Sequence, residues 1–166
     1  MTPPDNQTRA LQRIRADVRA MSAYHVQPAQ GLLKMDTMEN PYRLPAVLQQ
    51  QLGAHLGSLE INRYPGERLE VLKQMLADYA GAPAGTAVLL GNGSDEIITL
   101  LALATAQPSE GGRATMLAPM PGFVMYPLSA KLQGLDFVGV DLTADFDLDV
   151  PAMLQAIAAH RPAITY

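Results

Sequence analysis

Cysteine and tryptophan are both missing from this 166-residue sequence. Without cysteine, neither a disulfide framework nor a thiolate metal site can form. An excess of basic residues is missing too, because the formal net charge is −4 at pH 7. Surfaces that bind nucleic acid or anionic membranes usually need a basic balance. We therefore expect neither nucleic acid nor a membrane among the partners.

Long apolar runs are also absent. No stretch approaches the roughly 18 apolar residues that a membrane-spanning helix needs. The first residues, Met1–Asn6, are polar and lack the apolar core of a signal peptide. The three histidines, His25, His55 and His160, lie far apart in the sequence, so we predict no metal site. We expect a cytoplasmic protein.

The strongest local pattern in the sequence runs from Val88 to Ile98. Its apolar start, Val88–Leu90, predicts a buried strand. The Gly91–Gly93 segment predicts a tight turn, which we call the glycine turn, and Ser94 is predicted to be the N-cap of a helix. A glycine turn before a helix exposes backbone N–H groups at one point. Such a point can bind an anion, typically a phosphate.

The same residues also support a purely structural interpretation. Most strand–glycine–helix junctions bind nothing, and Asn-Gly is also the commonest hairpin signal. Asp95 and Glu96 would repel a phosphate unless cations or other donors lie nearby. The local pattern by itself therefore leaves both interpretations open.

Strand-like and helix-like segments alternate through the rest of the chain. Asp149 followed by Pro151 is a typical start of the last helix. This alternation predicts parallel βαβ units in an α/β domain. The sequence stops after its last predicted strand, where a ligand-binding loop of such a sheet should begin, so we expect a fragment of a longer protein. The predicted strands are 87–90, 114–118, 137–140 and 163–166, and the predicted helices are 94–106, 122–132 and 150–159.

The first part of the chain has a different pattern. Apolar residues spaced three or four apart predict amphipathic helices over 8–21, 45–56 and 68–80. Residues 32–36 are predicted to form a short edge strand. We expect residues 1–45 to form an N-terminal arm with loops that line a substrate site, and residues 46–166 to form the first part of a large domain.

Five segments, in this order, resemble the N-terminal half of the histidinol-phosphate aminotransferases. That family belongs to the fold-type I enzymes that depend on pyridoxal 5′-phosphate (PLP). The resemblance implies a helical arm followed by part of a large domain with a mainly parallel sheet. It also implies amino transfer between glutamate and imidazole-acetol phosphate in histidine biosynthesis. The five segments are Met38–Tyr42, Asn62–Pro65, Leu89–Ile98, Pro119–Tyr126 and Phe146–Asp149.

The resemblance also implies roles for individual residues. Gly93, Ser94 and Asp95 match the turn that holds the cofactor's phosphate. Phe123 matches the aromatic residue that stacks on the pyridine ring, which suits a side chain that holds a flat ring without reacting with it. Tyr64 matches a tyrosine that reaches the cofactor phosphate of a neighbouring subunit, which implies a homodimer.

Two further matches concern the substrates, which the resemblance gives as glutamate and a small phosphorylated molecule. Tyr24 matches a residue near the phosphate or imidazole end of the substrate, and Asn40 lies in a loop that lines the substrate pocket. Three alternatives stay open. They are a related PLP enzyme such as a threonine-phosphate decarboxylase, a non-catalytic interaction module, and a nucleotide-binding domain that uses the glycine turn.

The resemblance places the lysine that bonds PLP after Tyr166. The three lysines of the chain, Lys34, Lys73 and Lys131, do not match that position. We therefore predict no catalytic residue within these 166 residues, and we expect the chain by itself to be inactive.

This expectation can be tested on the isolated chain. After incubation with PLP and reduction with borohydride, we expect mass spectrometry to show no stoichiometric adduct, because no lysine occupies the matching position. A single lysine modified to completion would contradict the prediction.

Overall fold

The computed structural model describes residues 6–22, 28–36, 38–107 and 112–166. The chain divides into two compact units, Met1–Glu67 and Arg68–Tyr166, which are described separately. The boundary after residue 45 that the sequence suggests stays a prediction. None of the helices in the described ranges combines the length and the apolar character needed to cross a bilayer.

The described residues of the first unit form three helices, α1 (Asn6–Leu11), α2 (Ala16–Arg19) and α3 (Ala46–Gly57). The prediction of one helix over residues 8–21 is therefore wrong. The helix is interrupted because Arg15 has extended backbone angles, φ −49° and ψ 136°. Its guanidinium forms an ion pair with Asp17, 2.6 Å away, at the start of α2.

The predicted strand over residues 32–36 is also wrong, since these residues have no strand partner. A single extended segment cannot satisfy its backbone groups without a neighbouring strand. The helix predicted over 45–56 is confirmed as α3. It begins after Pro45, whose carbonyl accepts a hydrogen bond from the N–H of Gln49 at 3.0 Å.

The second unit is an α/β arrangement with a parallel sheet, as the alternating pattern predicts. The three strands have the spatial order β2-β1-β3, and both pairings are parallel. Its elements are α4 (Arg68–Ala80), α5 (Ser94–Thr105), β1 (Thr115–Met120), α6 (Met125–Gln133), β2 (Asp136–Asp141), α7 (Val150–His160) and β3 (Ile164–Thr165).

The core of this unit lies around the central strand β1. Met116, Leu117 and Ala118 are fully buried, because β1 has a hydrogen-bonded strand on each edge. A continuous apolar run is typical of such a strand. Around Met116 pack four other buried residues from α5, α6 and the segments next to the sheet, which are Ala102, Ala114, Ala130 and Leu135.

Two predicted elements of this unit differ in the structure. Residues 87–90 form no strand, because β2 and β3 occupy both edges of β1 and the segment pairs with neither of them. The helix predicted to begin at residue 122 begins at Met125. The residues before it form a turn in which the N–H of Tyr126 donates to the carbonyl of Phe123 at 3.1 Å.

Helix α4 forms over the predicted residues, but its apolar side lies exposed. Tyr79, for example, is 91% exposed, and α4 contains no buried residue. Helix α5 is buried only in part. Ile98 and Ala102 face the core, whereas Leu100 and Leu103 are exposed.

The start of α7 provides a test of local stability. The Asp149 carboxylate accepts a hydrogen bond from the N–H of Ala152 at 2.9 Å, and Pro151 lies in the first turn. We expect Asp149→Ala to lower the free energy of unfolding by about 1 kcal/mol, because one N–H group loses its acceptor. Urea denaturation measures the loss. The matched control is Asp145→Ala, which removes an exposed carboxylate, and an equal loss in both variants would contradict the capping role.

Candidate functional site

Helix α5 begins one residue earlier than a Ser94 cap would require. Gly93 is the N-cap, with φ 84° and ψ 177°, and Ser94 is the first helical residue. The prediction that Ser94 caps the helix is therefore wrong. Glycine takes that position because a positive φ costs it little. Since the cap has no side chain, no side-chain cap accepts a hydrogen bond at this helix start in the described part of the chain, and no carbonyl of the helix can reach the N–H groups of Ser94 and Asp95.

Hydrogen bonds within the glycine turn fix its conformation. The N–H of Gly93 donates to the carbonyl of Gly91 at 2.9 Å. The Glu96 carboxylate, in the first turn of α5, accepts hydrogen bonds from the backbone N–H and from the side-chain amide of Asn92. The carboxylate of Glu96 is thus directed back at the residue before the helix cap.

Close contacts limit what can occupy the start of this turn. A Cβ atom added at Gly91 would lie 2.8 Å from Cγ1 of Ile97 and 3.1 Å from Oε2 of Glu96. Any side chain at this position would therefore displace Ile97, Glu96 or both.

Ser94 and Asp95 lie together at the exposed end of α5. The Ser94 hydroxyl is 3.5 Å from Oδ1 of Asp95, which is the outer limit for a hydrogen bond. Behind them, the Thr99 hydroxyl donates to the Asp95 carbonyl at 2.8 Å. The helix start thus brings the predicted phosphate-binding residues Gly93, Ser94 and Asp95 to one place. Sequence reasoning missed the role of Glu96, although its spacing of four from Asn92 could have indicated it.

Three aromatic rings form a row, two from the segment after β1 and one from the residue after β3. The ring of Phe123 meets Tyr126 edge to face, with centroids 5.7 Å apart and planes at 87°. Tyr126 in turn stacks on Tyr166, with centroids 4.3 Å apart and planes at 14°. Phe123 stays 43% exposed, so part of its ring is accessible to a flat ligand. The sequence pattern did not indicate this row, because Tyr166 is distant in the chain.

Tyr166 is fixed by its backbone, whereas its side-chain hydroxyl has no hydrogen-bond partner among the described residues. Its backbone N–H donates to the carbonyl of Leu117 at 3.0 Å, which continues the pairing of β3 with β1. Its hydroxyl is buried, and no group of the described residues forms a hydrogen bond with it. Burial raises the pKa of Tyr166 above its ordinary value, and the nearby Tyr126 raises it further.

The two helices that follow these turns pack against each other. The hydroxyls of Thr99 in α5 and Ser129 in α6 are 3.4 Å apart, and each lies in the second turn of its helix. Ser129 is fully buried. Gly93, at the end of the glycine turn, and Phe123 therefore each lie six residues before a shared contact. Helix α6 also begins beyond the carboxyl end of β1, where ligands of α/β sheets bind.

The remaining predicted residues belong to the unit Met1–Glu67. Oδ1 of Asn40 accepts a hydrogen bond from the N–H of Tyr42 at 3.0 Å, which forms a local turn in the loop predicted to line the substrate pocket. The Tyr64 side chain is 99% exposed. Tyr24 lies outside the described residues.

Two of the lysines are engaged in ion pairs. Lys34 lies 3.1 Å from Asp36, and Lys73 lies 2.9 Å from Glu70 one helical turn away. In residues 6–22, 28–36, 38–107 and 112–166, no three histidine, aspartate or glutamate side chains come together as metal ligands.

A comparison with family models places most of the chain in one family. Residues 31–164 match the model for aminotransferase class I and II. Among solved structures, the chain resembles the histidinol-phosphate aminotransferase of Clostridium acetobutylicum with a TM-score of 0.57 and 21% identity. The match covers 73% of this chain and 33% of that one. This likeness confirms the expected aminotransferase fold.

Curated relatives are much more similar in sequence. The chain is 69% identical over 162 residues to the histidinol-phosphate aminotransferase of Paracidovorax citrulli (strain AAC00-1), which covers 98% of this chain and 44% of that protein. It is 65% identical over 166 residues to the enzyme of the same name from Acidovorax sp. (strain JS42), again over 44% of that protein. The resemblance in the five segments is thus confirmed, and the chain spans less than half the length of these relatives.

The buried Tyr166 hydroxyl predicts a dependence of stability on pH. Because its folded-state pKa is raised from 10.0, the fold holds this proton more tightly than the unfolded chain does. That contribution is complete below the unfolded pKa and is lost as the pH rises through the folded one. We expect the unfolding free energy to fall more in the wild type than in Tyr166→Phe between about pH 9 and about pH 11.

Urea denaturation across this pH range measures the effect, with Tyr79→Phe as the control at an exposed tyrosine. An absorbance titration of the tyrosines should also lose a component above pH 10.0 in Tyr166→Phe. Identical pH dependence in the wild type and Tyr166→Phe would contradict the prediction.

Proposed function

Because the chain belongs to the aminotransferase class I and II family, we propose that it is the N-terminal part of a PLP-dependent histidinol-phosphate aminotransferase. The names of its relatives, at up to 69% identity, support this substrate class. The observation that carries the proposal is the start of α5, where a glycine cap offers no side-chain acceptor to the N–H groups of Ser94 and Asp95 among the described residues. An anion fits this position.

The start of α5 would hold the cofactor's phosphate. The N–H groups of Ser94 and Asp95 and the positive end of the helix dipole attract it, and the Ser94 hydroxyl adds a donor. Glu96 does not oppose this binding directly, since its carboxylate is directed at Asn92. The carboxylate of Asp95 still needs cationic groups nearby, and in our proposal residues outside this chain supply them.

Phe123 would hold the flat ring of the cofactor. Its partly exposed ring offers an apolar face, and the edge-to-face contact with Tyr126 limits its rotation. When bound, PLP supplies the electron-accepting ring that amino transfer needs. The residues of this chain would bind and orient it, whereas the lysine that bonds it lies outside the 166 residues.

The roles in the first unit follow from the family resemblance. We propose that Tyr64 reaches the cofactor phosphate of a second subunit, so that the full enzyme is a homodimer. The full exposure of its side chain is compatible with a contact to another chain. Tyr24 and the loop containing Asn40 would line the pocket for glutamate and the phosphorylated substrate. The enzyme would act in the cytoplasm.

The proposed activity can be tested on the full-length protein that contains this chain. We expect PLP-dependent amino transfer from glutamate to imidazole-acetol phosphate. Release of carbon dioxide from threonine phosphate, without amino transfer, would instead identify the related decarboxylase. Absence of both activities in a protein that binds PLP would overturn the proposed function.

The stacking role of Phe123 has its own test. We expect Phe123→Ala to weaken PLP binding to the full-length enzyme by about 2- to 10-fold, because one aromatic contact is lost. Phe123→Tyr should retain most of the affinity. Fluorescence titration with PLP measures both, and Phe146→Ala is the control because Phe146 is an exposed phenylalanine outside the site. Equal affinities in Phe123→Ala and the wild type would contradict stacking.

A further inference from the structure

We propose that Glu96 is a positioning residue that holds the glycine turn in the conformation that binds the cofactor's phosphate. This inference rests on the proposed function, since it assigns a role within the same site. Glu96 would not itself touch the phosphate. It would act through Asn92, and so decide which backbone N–H groups remain available to the ligand.

The hydrogen bonds of the turn support this role. The Glu96 carboxylate is the only acceptor for the Asn92 N–H in the described part of the chain, and the Asn92 side-chain amide donates to it as well. The turn contains just one other described backbone bond, from Gly93 to Gly91. Without Glu96, a glycine-rich segment with high conformational freedom would therefore be held by a single local bond.

The arrangement also separates the donors into two groups. The N–H groups of Asn92 and Gly93 are engaged within the turn, by Glu96 and Gly91 respectively. Those of Ser94 and Asp95 are left for an anion. A bond to a charged acceptor is stronger than one to a neutral carbonyl, which favours a carboxylate at this position.

The negative charge of Glu96 also affects phosphate binding. A carboxylate in the first turn of α5 would repel a phosphate at the same helix end. The backbone N–H and the side-chain amide of Asn92 offset part of this charge and hold the carboxylate against the glycine turn. The same bonds thus order the turn and reduce the repulsion.

The close contact at Gly91 gives independent support. A Cβ atom there would lie 3.1 Å from Oε2 of Glu96 and 2.8 Å from Cγ1 of Ile97. The Glu96 carboxylate can reach Asn92 because Gly91 leaves space for it. We therefore expect Gly91→Ala to disturb the same hydrogen bonds that Glu96→Ala removes.

The experiment compares two ligands on the full-length enzyme, PLP and pyridoxal, which lacks the phosphate. We expect Glu96→Ala to weaken PLP binding by about 10-fold, the scale of losing a hydrogen bond to a charged group, and to leave pyridoxal binding unchanged. Glu96→Gln, which keeps an acceptor oxygen, should restore most of the affinity. A role in folding alone would not weaken the binding of one ligand and spare the other.

Further variants test the coupling and the specificity. Gly91→Ala should also weaken PLP binding selectively, and the effects of Gly91→Ala and Glu96→Ala should be less than additive in the double variant. The matched control is Glu70→Ala, because Glu70 is likewise the third residue of its helix but pairs with Lys73. This control should bind PLP as the wild type does. Thermal denaturation of each variant shows whether it is folded.

Each outcome decides the proposal. Equal weakening of PLP and pyridoxal, unchanged PLP affinity in Glu96→Ala, or no rescue by Glu96→Gln would overturn the role of Glu96 and leave the proposed function standing. If Glu96→Ala does not fold, the other two variants decide the proposal. Unchanged PLP affinity in Gly91→Ala, or strongly weakened PLP binding in Glu96→Gln, would then overturn the role of Glu96. If the wild-type enzyme does not prefer PLP to pyridoxal, the phosphate site itself is wrong, and the inference fails with it.

Discussion

The parallel pairing of β1 with a strand on each edge is the constraint on which the second unit depends. Because both edges of β1 form hydrogen bonds, its residues can be apolar and fully buried without leaving backbone groups unsatisfied. The same pairing fixes where the chain leaves the sheet. Phe123 lies just beyond the carboxyl end of β1, and Tyr166 is held beside β1 by its bond to Leu117. The aromatic row is thus a consequence of the sheet.

A second constraint operates at the start of α5 and is local. Gly93 takes the cap position in a conformation with positive φ, and Glu96 secures the turn before it through Asn92. These bonds connect residues at most four apart in the chain. The two parts of the site therefore have different origins, since one depends on strand pairing and the other on a short stretch of sequence. The packing of Thr99 on Ser129 links the helices that bear them.

The errors of the sequence-based predictions have physical causes. Residues 87–90 have the composition of a buried strand, but composition does not supply a paired neighbour, and these residues pair with none of the three described strands. The helix expected over 8–21 has a suitable apolar spacing, but the extended backbone at Arg15 interrupts it. Ser94 is a good capping residue by type, yet Gly93 takes that role because its backbone adopts the angles that end the turn. In each case the residue pattern was compatible with several local structures.

The sequence by itself determined the fold class, the alternation of helices and strands, and the family to which the chain belongs. It also determined the position of the glycine turn, because hydrophobic periodicity, glycine and capping residues act over a few residues. Only the tertiary structure decided the strand order β2-β1-β3, the row from Phe123 through Tyr126 to Tyr166, and the direction of the Glu96 carboxylate. These features depend on contacts between distant segments or on side-chain directions. A linear pattern does not specify either of them.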